Sequence, residues 1–125
     1  MDDIRTLQYA GEHFAFSPTW DGANLSATFA GTADLVAVTP LAEFLDALGE
    51  DAKRLHSARV RLDLTKLVFI NSSCLKAFVS FVVALKDSTA PVRIEFLTDP
   101  GYPWQGRAVA PIARIAPATV SVTRA

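Results

Sequence analysis

The sequence predicts an α/β fold: a mixed sheet of about four to five strands with helices mainly on one side. Three observations predict it. Segments of period-two hydrophobicity alternate along the chain with segments of helical period. Helical segments stand between the later strands, which implies parallel neighbours joined by crossovers. A connection bearing Pro18 and Gly22 joins the first two strands, which implies an antiparallel hairpin ahead of the parallel part.

Taken in order, residues 13–16 form a short strand with Phe14 and Phe16 on one side, and residues 17–22 carry the turn. Residues 25–30 set Leu25, Ala27 and Phe29 against Ser26 and Thr28, the second hairpin strand. Thr39-Pro40 opens the first helix, because threonine caps an orphan N–H and proline loses nothing at the first helical position. Leu41, Phe44, Leu45 and Leu48 follow at i, i+3, i+4 and i+7 as one apolar stripe. This helix stops at Gly49 or runs on to Leu55. Residues 59–64 alternate again, with Val60, Leu62 and Leu64 on the buried side. After Thr65-Lys66 a second apolar run, residues 67–70, ends abruptly at Asn71-Ser72-Ser73. A strongly apolar helix then spans about residues 72–86, with Leu75, Phe78, Val79, Val82 and Leu85 facing the core and Lys76, Ser80 and Asp87 on or near the polar side. Pro91 precedes a strand at 92–97. Trp104, Ala108, Ile112 and Ile115 fit a helical stripe interrupted by Gly106 and Pro111, and residues 119–123 form a last strand.

Composition bounds the function. The 125 residues make one domain, 1–125, half of them apolar and 20% charged, which excludes intrinsic disorder. Twelve Lys and Arg against 13 Asp and Glu leave a net charge of -1, too balanced for a nucleic-acid binder. The most apolar stretch, residues 77–85, is about half a bilayer-spanning helix, so no membrane partner is expected. Met1-Asp2-Asp3 is acidic where a secretory signal is basic, and Cys74 has no second cysteine to pair with; both point to a cytoplasmic protein. His13 and His56 stand in no metal-ligand spacing, and the glycines build no phosphate-cradling loop. The expectation is a protein without catalytic residues, metal or cofactor.

One spot concentrates chemistry: Phe69-Ile70-Asn71-Ser72-Ser73-Cys74-Leu75. There a strand stops and a helix begins with two hydroxyls. Structurally, Asn71 or Ser72 caps the helix, which is worth about 1 kcal/mol. Functionally, free N–H groups and the positive end of the helix dipole favour an anion, and a phosphoryl group on Ser72 adds about -1.5 to -2 charges at pH 7. Three readings of this spot differ in class: a switch phosphorylated on Ser72, a module holding a nucleotide or other anionic group, and an enzyme using Cys74 as nucleophile with His13 or His56 as base. Cys74 is also readable as a small buried hydrophobe, and Trp104 as a docking aromatic or a core residue.

Residues 60–83 carry a resemblance. Leu62-Asp63-Leu64 leading into Phe69-Ile70-Asn71-Ser72-Ser73 and Leu75 resembles the central stretch of a STAS domain, the fold of bacterial anti-sigma-factor antagonists. Gly31 and Asp34 resemble the family's Gly-x-x-Asp segment before the first helix, and Tyr102-Pro103-Trp104-Gln105 is similar to a divergent branch of STAS-like regulators. The resemblance implies a phosphorylated serine at Ser72, with Ser73 supporting the loop. It also implies a binding surface of Asn71, Ser72, Ser73, Cys74, Lys76, Gly31 and Asp34. Implied partners are a serine kinase or anti-sigma factor and its cognate phosphatase, bound by a monomer or weak homodimer. Two positions depart from the family: Asn71 replaces an acid and Cys74 a glycine. The first removes a charge beside the hydroxyl but keeps a cap, and the second leaves less room for a partner's backbone.

Overall fold

Six strands lie in one sheet in chain order: β1 (Tyr9–Ala10), β2 (Phe14–Trp20), β3 (Leu25–Ala33), β4 (Arg59–Ile70), β5 (Arg93–Thr98) and β6 (Val120–Arg124). The computed structural model describes residues 4–88 and 92–125, so Met1-Asp2-Asp3 and Pro91 lie outside the described residues. β1, β2 and β3 pair antiparallel, while β3 to β6 pair parallel. The three parallel connections are α1 (Val38–Arg54), α2 (Ser72–Lys86) and α3 (Pro103–Ile115). Right-handed crossovers between strands laid down in order place all three helices on one face. Burial agrees: Leu25, Ala27, Phe29, Val60, Leu62, Leu64, Ile94 and Phe96 are sealed, and the residues between them are at least partly exposed.

The core is built around rings. Phe29 meets Phe44 of α1 at 5.7 Å and Phe78 of α2 at 5.2 Å, and Phe78 reaches Phe96 of β5 at 6.1 Å. These edge-on contacts tie the sheet to its helical layer. The strand beyond the expected four to five is β1, whose Tyr9 stacks on Phe14 at 5.3 Å and Phe16 at 5.7 Å. Two residues are too few to show a period, and β1 is held by its pairing with β2.

Several elements differ from the sequence expectation. β2 continues through the expected turn to Trp20, and the reversal falls at Asp21, whose carboxylate accepts from the N–H groups of Ala23 and Asn24. Pro18 is tolerated because β1 pairs only as far as Phe16, leaving this part of β2 at the sheet edge. Thr39 is not the cap of α1. The chain enters through a 3-10 turn, Leu35–Ala37, capped by Asp34 Oδ1 from Val36 N at 3.1 Å, so Thr39 and Pro40 lie inside α1. Gly49 is buried within α1, which runs on to Arg54. Residues 59–64 and 67–70 are one strand, because β4 bulges twice against β3. On α2, Cys74 and Phe81 are buried where Leu75 and Val79 are only partly so. The buried stripe of α3 is Gln105, Val109 and Ile112, one residue out of phase with Trp104 and Ala108, and Ile115 is exposed. Trp104 packs against the core from a partly buried position.

Candidate functional site

The carboxyl ends of β3 and β4 emerge side by side. Ala33 lies opposite Ile70, and Ala33 O accepts from Asn71 N at 2.9 Å. From there β3 enters the 3-10 turn and β4 enters α2, so both helical starts are held together at one end of the sheet. Open α/β sheets bind their ligands at this end.

Asn71 caps α2. It is extended (φ -85, ψ 169), and its Oδ1 accepts from Cys74 N at 2.8 Å. Its carbonyl accepts from Leu75 N at 3.0 Å. The N–H groups of Ser72 and Ser73 have no protein acceptor among the described residues. Both serine side chains are exposed, in the first turn of α2, and Lys76 is exposed one turn beyond Ser72. The free N–H groups and the dipole make this end of α2 receptive to negative charge.

Cys74 faces the other way. It is fully buried, with Sγ 3.4 Å from Asp34 O. Burial, with the Asp34 carboxylate as a second cause, pushes its thiol above the ordinary range. A nucleophilic cysteine needs the reverse. His13 and His56 are both exposed; His13 Nε2 lies 3.7 Å from Glu12, and His56 lies beyond α1 with φ 52. The sulfur instead joins the first turn of α2 to the 3-10 turn of Asp34. Gly31 has a backbone role: at φ 90 it lies so close to His13 O that an added Cβ would collide, while Thr32 N donates to the same oxygen at 2.8 Å.

Four exposed apolar side chains lie at the same end of the sheet as the two serines. Leu35 and Val36 on the 3-10 turn are 79% and 73% exposed, and Val68 and Phe69 near the end of β4 are about half exposed. Beyond Leu67 the cover on β4 thins: Val68 and Phe69 are exposed, while Ile70 still packs against the core from a partly buried position. The sequence gives no sign of this: an unbroken apolar run at 67–70 reads as a buried strand, and the structure corrects that expectation by placing Val68 and Phe69 at the surface. A second unforeseen residue is Gln105, fully buried behind the site. Its Nε2 donates to Leu64 O at 2.7 Å and Leu67 O at 2.9 Å, and its Oε1 accepts from Asp99 N at 2.8 Å. It clamps the bulged part of β4 to the start of α3.

A comparison with solved structures decides the fold. The chain matches an anti-sigma factor antagonist from Mycobacterium paratuberculosis with a TM-score of 0.69 and 13% identity, over 91% of this chain and 88% of that one. The fold is STAS-like. A second STAS-like match lies in the crystal structure of the diguanylate cyclase SiaD with its activator SiaC from Pseudomonas aeruginosa, with a TM-score of 0.63 and 15% identity, over 95% and 99% of the two chains. No family model and no curated protein matches the sequence. Among the described residues of this STAS-like chain, no helix is long and apolar enough to cross a membrane, and no group of His, Cys, Asp and Glu is placed to hold a metal ion.

Proposed function

We propose that this chain is a regulatory switch that binds a protein partner and is released by phosphorylation of Ser72. One observation carries the reading: the Ser72 side chain is exposed beside unclaimed N–H groups, at the end of the sheet where Leu35, Val36, Val68 and Phe69 are also exposed. Exposed apolar side chains gathered at one end of a sheet support a protein-binding role when they form one contiguous patch. Both similar folds come from structures described by an effect on another protein, an antagonist and an activator, which supports a partner-binding role.

The partner is a serine kinase of the anti-sigma type, with a cognate phosphatase reversing the mark. Ser72 Oγ attacks the terminal phosphorus of ATP held by the kinase. The new O–P bond forms as the bond to the bridging oxygen breaks, ADP leaves, and the hydroxyl proton passes to a base of the kinase. The phosphoryl group lies where α2 tolerates charge, so the fold persists while this end of the sheet gains about -1.5 to -2 charges at pH 7. Partner groups docked at this end then meet an uncompensated charge, and the complex weakens.

Incubation with ATP and the candidate kinase, followed by mass spectrometry, places the phosphoryl group on Ser72. Ser72→Asp weakens the complex by about tenfold or more, a 1.4 kcal/mol effect, and Ser72→Ala binds but is not modified. Modification confined to a site away from residues 71–73, or unchanged affinity of Ser72→Asp, overturns the reading.

A further inference from the structure

Far from Ser72, at the amino-terminal ends of β4 and β5, the uncovered face of the sheet carries an arrangement that folding alone does not favour. Arg59 and Arg93 are directly opposite in the parallel register, and Val60 and Ile94 beside them are buried, so both arginines stand on the open face. Like charges facing each other across a sheet are destabilising. The next row places Arg61 opposite Glu95, and Arg61 Nε donates to Glu95 Oε1 at 2.8 Å. Glu95 is further occupied by Thr123 Oγ1, which donates to Oε2 at 2.7 Å. The Thr123 hydroxyl foremost, then Arg61 and Arg59, hold its carboxyl below the ordinary range against the opposing effect of burial. Its charge is thus spent mainly on Arg61. Arg59 is left with a loose 3.6 Å approach to Glu95, and Arg93 has no ion pair among the described residues. One row on, Asp63 is turned to its own Thr65, accepting from N and Oγ1 at 2.9 and 2.6 Å.

Arg59, Arg93 and Glu95, together with residues 117–121, line an open cavity of about 180 Å³. A water's share of liquid volume is about 30 Å³, so the space holds a phosphoryl group and part of what carries it. We propose that this cavity is a binding site for a small phosphorylated ligand, its phosphate bridging Arg59 and Arg93. Three arginines against one glutamate leave two positive charges, which a phosphate dianion neutralises and a single carboxylate does not. Guanidinium groups suit this role because their planar donor forks match phosphate oxygens. The site is independent of Ser72, so either proposal stands if the other fails.

Inorganic phosphate is the probe, titrated into the intact chain under amide NMR at low ionic strength. Saturable shifts are expected at Arg59, Arg93 and residues 117–121, together with a phosphate-dependent rise in Tm. Arg59→Ala and Arg93→Ala each weaken binding by about tenfold or more, the loss of a charge-assisted hydrogen bond, and abolish the Tm rise. Arg114→Ala, which removes an exposed cation on α3, leaves binding unchanged. The proposal is overturned by an absence of saturable shifts, by shifts centred on the first turn of α2, or by equal binding of acetate.

Discussion

Asn71 shows how one residue serves two levels of organisation. Its side chain caps α2, and its backbone N–H ties the start of α2 to the end of β3. Asn71→Ala removes the first function only and is expected to cost about 1 kcal/mol, read from chemical denaturation. Asn71→Asp keeps the cap and adds a favourable charge at the helix start, so its stability matches or slightly exceeds that of the parent. The serines at this turn are exposed because the next residue, Cys74, takes the buried position: in a helix only about one side chain in three or four points at the core. A glycine at 74 leaves that position empty. The cysteine fills it and contacts Asp34 O, which joins the two helical starts.

At the scale of elements, β4 organises the site. Its first bulge shifts the buried set from Leu62 and Leu64 to Leu67, a step of three, and the second falls between Leu67 and Phe69, where Val68 and Phe69 come to the surface. A bulge leaves backbone groups without ladder partners, and Gln105 supplies the donors for Leu64 O and Leu67 O. Gln105→Leu strips those carbonyls and Asp99 N of their partners, and an expected loss of about 1–3 kcal/mol follows for such unsatisfied groups. Denaturation measures the loss, and faster amide exchange at residues 67–70 locates it. Gln105→Glu, which keeps acceptors but removes the donors, is also destabilised. The one-residue phase error in reading α3 has the same origin. A glutamine in a buried stripe looks polar until the carbonyls it serves are known, and Trp104 draws the stripe toward itself.

On the scale of the whole molecule, the amino-terminal segment is fastened to the helical layer by one buried carboxylate. Asp51 Oδ2 accepts from Arg5 N at 2.9 Å, Thr6 N at 2.8 Å and Thr6 Oγ1 at 2.6 Å, while Oδ1 takes Arg54 Nη2 at 2.8 Å. Burial pushes this carboxyl up, and the Thr6 and Arg54 side chains with the two N–H groups outweigh it, holding Asp51 below the ordinary carboxylate range. A lowered folded-state value means that the stabilisation is complete above the unfolded value, near about 4, and fades as pH falls through the folded value. Thermal unfolding of the parent and Asp51→Asn is expected to differ most at neutral pH and to converge below about pH 4, with the parent the more stable. The two proposed sites then lie at opposite ends of the sheet. Ser72 and the exposed Leu35, Val36, Val68 and Phe69 stand at the carboxyl ends of β3 and β4, and the arginine cavity lies at the opposite ends of β4 and β5.

The sequence by itself determined the alternation of strands and helices, the antiparallel opening, the parallel remainder and the turn on which Ser72 stands. Those features follow from local periodicity and capping chemistry, which act over a few residues and are written in adjacent letters. Tertiary structure decided what surrounds that turn. Whether Val68 and Phe69 are core or surface depends on bulges opposite β3, and whether Gln105 is solvated depends on carbonyls about 40 positions away. Arg59 faces Arg93 only because two distant strands share a register. Such pairings arise from burial and hydrogen-bond satisfaction across the chain, and no window along it contains both partners.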